Sequence, residues 1–322
     1  MLPPKDRLTI CFAHVAYQLQ ERFLPRKTGT SSFTVRTNDE FERRIGEADV
    51  VVVSGMWKND LLERAARLRF IQSIGAGTDQ FDREKLKARG IRLASAQGVN
   101  ANAVSEHAIA LMLAMERRLP EARDNQHKHI WRGMISDLTQ REDELGGKTL
   151  LVVGLGGIGG RLACLAKAFG MRVIGIKRDP SKGAESADAV HGPDELKAKL
   201  PEADYVALTC PLTRETERLI DADAFSRMKK TACLINTARG RCVDEPALIK
   251  ALRDGAIAAA AIDVSVEEPL PASSPLWDFP NVLITPHTAG ETRKYEENVL
   301  DILQDNLARL WRGDTTLRNQ VV

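Results

Sequence analysis

The sequence has little to build a disulfide framework or a metal cage with. Its five cysteines, Cys11, Cys164, Cys210, Cys233 and Cys242, form no CxxC pair and no close Cys/His ligand spacing, and an odd count suits a disulfide framework poorly. Reduced, mostly buried thiols are expected. His127 and His129 are the nearest approach to a metal pair, but their i, i+2 spacing faces opposite sides of a helix, so no metal is expected. Nothing approaches the run of about 18 apolar residues that a membrane-spanning helix needs. The start, MLPPKDRLTICFAHV, has no apolar stretch of signal-peptide length. A soluble, cytoplasmic protein without membrane association is therefore expected. Charge of one sign is also lacking: 46 Lys and Arg against 44 Asp and Glu leave a net +2, too weak a field to draw the whole protein to nucleic acid.

What is present is an ordinary globular composition, 43% hydrophobic and 28% charged over 322 residues, a length that suits two domains. Residues 8–15, 50–54, 70–74 and 91–95 are short β-rich runs separated by helical or looped segments, the alternation of a parallel sheet with crossover helices. Asn100 to about Arg118, rich in Ala and Leu and free of Pro and Gly, predicts a buried helix at the passage into a second domain. From Thr149 a second alternation begins, with strand candidates TLLVVG, MRVIGI, YVALTC, ACLINT, GAIAAAAIDV and NVLITPH. Residues 292–311 predict a last helix with Val299, Ile302, Leu303, Leu307 and Leu310 along one stripe.

Gly154-Leu155-Gly156-Gly157-Ile158-Gly159 matches GxGxxG directly after the apolar run Leu150–Val153 and before a plausible helix. The first glycine permits a tight turn, the second lets backbone approach a pyrophosphate, and the third allows close packing of helix on strand. The helix N-terminal amides and dipole then hold the phosphates. Eighteen residues past Gly159, where an acid normally accepts from the adenosine ribose of NAD, stand Lys177 and Arg178. Two cations there would neutralise a 2′-phosphate, so NADP is the expected cofactor, with NAD possible. The competing reading is a solvated Lys-Arg turn with Asp179 as the ribose ligand.

Three loops after probable strands share an unusual composition: 235–241 (INTARGR), 262–271 (IDVSVEEPLP) and 284–290 (ITPHTAG). The carboxyl ends of strands surround the ligand crevice of an open α/β sheet, so Arg239, the Glu267/Glu268 pair and His287 can converge there. Singly, each has a plainer reading as a surface cation, a solvated acid and a structural histidine.

With these segments the sequence resembles the D-isomer-specific 2-hydroxyacid dehydrogenase family. The resemblance runs from SIGAGTD at 73–79 through GVNANAVSEHAIALMLA at 98–114, ELGGKTLLVVGLGGIGG at 144–160 and CPLTRET at 210–216 to INTARGRCVDEPAL, DVSVEEPLP and NVLITPHTAG at 281–290. It implies that Arg239 binds substrate, that Glu268 is the acid before Pro269, and that His287 is the acid/base. Chemistry agrees: an arginine fork clamps the carboxylate of a 2-keto acid, an imidazole exchanges the proton of the developing alcohol, and a glutamate orients that imidazole.

The resemblance further implies a Gly75-Ala76-Gly77 loop whose amides meet the substrate carboxylate, and a pocket lined by Met56 and Trp57. Thr237, Ala238 and Asp263 would contact the nicotinamide side of the cofactor, and Ala289 and Gly290 would also bind the cofactor. Cys210, Pro211 and Thr216 would form its adenosine-side wall, Cys210 by packing. It implies an α/β fold of two Rossmann-like or flavodoxin-like parallel-sheet domains with a cleft between them. Residues 1–99 with 290–322 would be the outer, substrate domain, and 100–289 the dinucleotide-binding domain. A homodimer through the cofactor domain, with residues 100–131 as contact arm, is expected. The activity implied is reduction of small 2-keto acids of the glyoxylate or hydroxypyruvate type. A dinucleotide-sensing corepressor and a phosphite-type dehydrogenase are the alternatives, while Glu268 argues against the formate-oxidising relatives, which carry Gln there.

Overall fold

The structure of the protein, a computed structural model, describes residues 2–322. The chain divides into two compact units. One comprises the chain to Val99 together with Thr292–Val322, the other Asn100–Glu291. The return to the first unit falls at Thr292, two residues beyond the boundary expected from sequence.

The first unit is built on a five-stranded parallel sheet of β1 (Thr9–Ala13), β2 (Ser31–Val35), β3 (Val50–Val53), β4 (Phe70–Ser73) and β5 (Arg92–Ala94), in the order β2-β1-β3-β4-β5. The four valines of β3 are wholly buried. A strand covered on both faces reads as an unbroken apolar run, and β-branched side chains suit the pleat. β2, with sequence SSFTV, lies at the edge and was not anticipated. An edge strand buries less, so its hydrophobic signal is weak. The last helix, Tyr295–Arg312, lays Val299, Leu300, Ile302, Leu303 and Leu307 into this core and ends at Gly313 in the left-handed conformation. Its buried Asn306 donates to the Gln72 side chain (3.1 Å) and to the Arg318 carbonyl (3.1 Å), so the one polar residue of the stripe is paired.

The second unit carries a seven-stranded parallel sheet of β6 (Thr149–Val153), β7 (Arg172–Ile176), β8 (Ala189–His191), β9 (Tyr205–Leu208), β10 (Cys233–Asn236), β11 (Ala259–Ile262) and β12 (Val282–Ile284), in the order β12-β11-β10-β9-β6-β7-β8. The order reverses between β6 and β9, which makes their carboxyl ends the switch point where ligands bind in such sheets. The short edge strand β8 escaped the sequence reading for the same reason as β2. The predicted long helix forms over Ala101–Glu116 and packs its Ala108, Ile109 and Met112 face on the helix Gly157–Ala168. His129 lies beyond the helix that ends at His127. No group that could hold a metal occurs among the described residues. In the segment that follows, Trp131 and Met134 are almost fully exposed. No helix of the described residues is long and apolar enough to cross a membrane.

Candidate active site

The turn after β6 is shaped by what its glycines lack. Gly154 has φ +103, a conformation that a Cβ disfavours, and a Cβ there would stand 2.6 Å from the Cys210 amide nitrogen at the end of β9. A Cβ on Gly159 would come within 2.4 Å of the Gly154 carbonyl oxygen. These two glycines close the turn and seat the helix on the sheet. Gly156 and Gly157 instead face open space at the helix N-terminus, where the first amides of a helix have no partner inside it. A bare backbone cradle with free amides at a switch point fits the pyrophosphate of a dinucleotide. Leu155 is buried and packs against Gly175 of β7, while Ile158 is half-buried on the helix.

The structure revises the part played by the two cations after β7. The Lys177 ammonium is taken up by its own loop, donating to the carbonyls of Lys182 (3.1 Å) and Gly183 (3.2 Å) and pairing with Glu185 (3.0 Å). Lys177 is thus a loop anchor, whereas Arg178 is exposed and makes no hydrogen bond of its own among the described residues. Asp179 accepts from both the amide and the hydroxyl of Ser181 on Oδ1, which with Lys182 holds its carboxyl below the usual range.

On the adenosine-side wall, the Thr216 hydroxyl accepts from the Thr213 amide and donates to the Pro211 carbonyl, so it shapes the turn, and Pro211 is exposed. Cys210 is buried and free. Its hydrogen bond with Cys242 and its burial push the thiol well above the ordinary range, which leaves packing as its role. Four of the five cysteines are buried and Cys164 is exposed.

The loops after β10, β11 and β12 are adjacent because the strands are. Arg239 is partly buried, with Nη1 donating to the Ala238 carbonyl (2.7 Å), which leaves the rest of its fork available. Buried Asn236 shapes this turn, its side chain accepting from the Ala238 amide and donating to the Arg239 carbonyl. A Cβ on Gly240 would fall 2.0 Å from the Ser265 carbonyl carbon, so the backbone beside Arg239 lies directly on the backbone that leads to Glu268. Glu268 accepts from the Ser265 amide with Oε1 (3.2 Å) and bonds Nδ1 of His287 with Oε2 (2.7 Å). His287 and Glu268 are 47% and 39% exposed, so as an ion pair they add only about 0–1 kcal/mol of stability. Their geometry matters more: a carboxylate on Nδ1 fixes the proton there and turns Nε2 outward.

His287 has φ +56, an unusual backbone for a side-chain-bearing residue. Asp263, 3% exposed, holds it there. The Asp263 carbonyl accepts from the His287 amide (2.8 Å), and its carboxylate accepts from the amides of Thr288 (2.9 Å) and Ala289 (3.0 Å) and from the Thr285 hydroxyl (2.6 Å). Successive amides around one anion form a nest. Asp263, expected against the nicotinamide, therefore spends its carboxylate on the histidine loop. Thr237 is buried with its hydroxyl on the Leu208 carbonyl (3.3 Å). Ala289 is buried, and a Cβ on Gly290 would press within 2.8 Å of the Asn100 side-chain nitrogen Nδ2. The sequence reading missed Asn236, Gly240 and the hold of Asp263 on the histidine loop. For Asn236 a local signal existed, an asparagine where a strand gives way to a turn. Gly240 and Asp263 act through contacts distant in the chain, which leave no such signal.

In the first unit, Gly75, Ala76 and Gly77 follow β4 as an open turn with Ala76 exposed, and none of their amides finds a partner among the described residues. Met56 and Trp57, expected to line a substrate pocket, are instead 8% and 4% exposed within the core. The Trp57 ring lies 5.5 Å from that of Phe81, and its Nε1 donates to Asn59 (3.0 Å). An apolar pair after a strand gives the same sequence signal whether it caps a core or faces a ligand.

Comparison with known proteins agrees with this geometry. Residues 109–289 match the model of the D-isomer specific 2-hydroxyacid dehydrogenase NAD-binding domain. The chain is 40% identical to a glyoxylate reductase of Aeropyrum pernix, over 79% of this chain and 76% of that one. It is 36% identical to a D-3-phosphoglycerate dehydrogenase of Methanocaldococcus jannaschii over 86% of this chain, and spans about half, 52%, of that relative's length. A solved structure of a D-isomer specific 2-hydroxyacid dehydrogenase family protein from Aeromonas salmonicida superposes with a TM-score of 0.86 at 31% identity, covering 98% of this chain and 99% of that one. The nest-held histidine, its glutamate and the bare glycine turn thus sit in an oxidoreductase with a nicotinamide dinucleotide site, and the chain belongs to the D-isomer-specific 2-hydroxyacid dehydrogenase family.

Proposed function

We propose that the protein is an NADP-preferring reductase of small 2-keto acids of the glyoxylate or hydroxypyruvate type. The observation that carries this reading is the His287–Glu268 bond of 2.7 Å, which leaves Nε2 of His287 directed away from its carboxylate partner. A bound dihydronicotinamide supplies the hydride. Arg239 binds the keto acid's carboxylate with the part of its fork not engaged on Ala238 and polarises the neighbouring carbonyl. As negative charge grows on the carbonyl oxygen, His287 delivers the Nε2 proton, and Glu268 stabilises the imidazolium beforehand and keeps the Nδ1 proton afterwards. In the reverse direction, neutral His287 takes the hydroxyl proton on Nε2.

The Gly75–Gly77 amides are suited to a substrate carboxylate, since they are donors without partners among the described residues. The NADP preference rests on Arg178, an exposed fork after β7 of the kind that suits a 2′-phosphate. The exposed Trp131 and Met134 support a homodimer through the second unit, which sedimentation of a Trp131→Ser variant checks. The decisive experiment is kcat/KM for glyoxylate, hydroxypyruvate, pyruvate and phenylpyruvate, each with NADPH and NADH. Oxidation of NADPH by a small keto acid, in preference to NADH, is expected. No turnover with any acid would replace this reading with a dinucleotide sensor, and equal use of NADH would remove the NADP preference.

A further inference from the structure

The helix Ala101–Glu116 places one polar side chain behind the histidine loop that the proposed reaction does not use. Nε2 of His107 lies 2.9 Å from Oγ1 of Thr285, and Oγ1 lies 2.6 Å from Oδ1 of Asp263. The direction of this chain follows from counting protons. The Asp263 carboxylate only accepts, and it already takes two backbone amides of the histidine loop. At 2.6 Å the single Thr285 proton belongs to the bond with Asp263, so Thr285 can only accept from the imidazole. His107 therefore carries its proton on Nε2, and the chain runs from His107 N–H through Thr285 O–H to Asp263.

We infer that His107 is a positioning residue for His287: its Nε2–H fixes the Thr285 hydroxyl on Asp263 and so holds the loop in which the His287 backbone is left-handed. Thr285 stands two residues before His287, and the His287 amide itself is directed at the Asp263 and Thr285 carbonyls (2.8 and 3.1 Å). Without the imidazole the Thr285 oxygen lacks its donor. Thr285 is then free to turn from Asp263, and the ring two residues on loses its fixed place against Glu268. A misplacement of about 1 Å at a reacting group lowers turnover by as much as about a hundredfold. Substrate and cofactor binding need not change, because His107 contacts neither in this reading.

The inference rests on His287 being the acid/base, and its test is chosen to separate the two. His107→Leu removes the donor and His107→Gln retains one; Thr285→Val and Thr285→Ser make the same distinction one link along. His107→Leu and Thr285→Val are each expected to lower kcat about ten- to a hundredfold with KM for the keto acid and Kd for NADPH within about twofold. His107→Gln and Thr285→Ser should retain most of the wild-type kcat. The double variant H107L/T285V should be no worse than either single one, as members of one chain behave. A readout independent of turnover is the Nδ1-bound proton of His287 in histidine-labelled protein, assigned by its loss in H287Q: it should broaden or shift in H107L and persist in H107Q. Equal impairment of H107Q and H107L, additive losses in the double variant, or an unmoved resonance in H107L would overturn the inference. If the wild-type protein turns over no keto acid, the functional reading fails while the resonance still decides the positioning role. Should H107L not fold, T285V and T285S decide it alone.

Discussion

At the switch point, the turn after β6 has almost no side chains to offer. Gly154 and Gly159 are held by close backbone approach, and at Gly156 and Gly157 a side chain would meet only open space. Two to four strands away, after β10, β11 and β12, nearly everything is side chain: the Arg239 fork, the Glu268 carboxylate on His287, and Asp263 wrapped by three donors. In the proposed reading the first region holds a ligand by shape and backbone donors, so nearly any chemistry can share it. The second, in the same reading, supplies protons and charge at set positions and so selects a reaction. A binding site made of missing side chains tolerates no additions, whereas a reacting site made of side chains tolerates no deletions.

This contrast can be broken by substitutions that separate binding from turnover. The largest effect is expected from His287→Gln, which should lower kcat by about 10²- to 10⁴-fold, the usual worth of a positioned general acid. NADPH affinity, followed by nucleotide fluorescence, should stay within about twofold. Unchanged turnover would remove His287 from the acid/base role. Next comes Gly159→Val, in which added atoms meet the Gly154 carbonyl and the Thr209 hydroxyl. An overpacking cost of about 1–3 kcal/mol, expressed at the turn, should raise the NADPH Kd about ten- to a hundredfold. An unaltered Kd would show that the cofactor does not use this turn.

The smallest effects sharpen the choice between two adjacent cations. Arg178→Gln should raise KM for NADPH about tenfold, within the worth of a lost charged hydrogen bond, and leave KM for NADH alone. Lys177→Met should change either by less than about threefold, because its ammonium serves exposed partners in its own loop. Equal losses in the two variants would put Lys177 back on the phosphate.

How far each feature could be read from sequence follows the same division. The GxGxxG turn between an apolar run and a helix announces itself locally, because the absence of side chains is itself the signal. β3, four consecutive valines, is equally plain, while β2 (SSFTV) and β8 (AVH) are short edge strands whose low burial leaves no hydrophobic pattern. Arg239, Glu268 and His287 became candidates by position at strand ends, but their roles came with the family resemblance. Met56 and Trp57 show where position misleads: an apolar pair after β3 faces inward on Phe81 and its neighbours. Gly240 against Ser265, and Asp263 inside the histidine loop, join residues more than twenty apart through contacts that no local pattern encodes.

The nest around Asp263 has a consequence for how the protein meets its medium. Many loops that curl their amides inward do so around a dissolved phosphate or halide, and their shape then follows the concentration of that ion. Here the anion is part of the chain, always present at one equivalent and 3% exposed. Dissolved salt screens exposed charges over a Debye length of about 8 Å at physiological ionic strength, and buried ones much less. If Arg178 and Arg239 capture anions as proposed, ionic strength should therefore tell on kcat/KM, while the loop that carries His287 keeps its form.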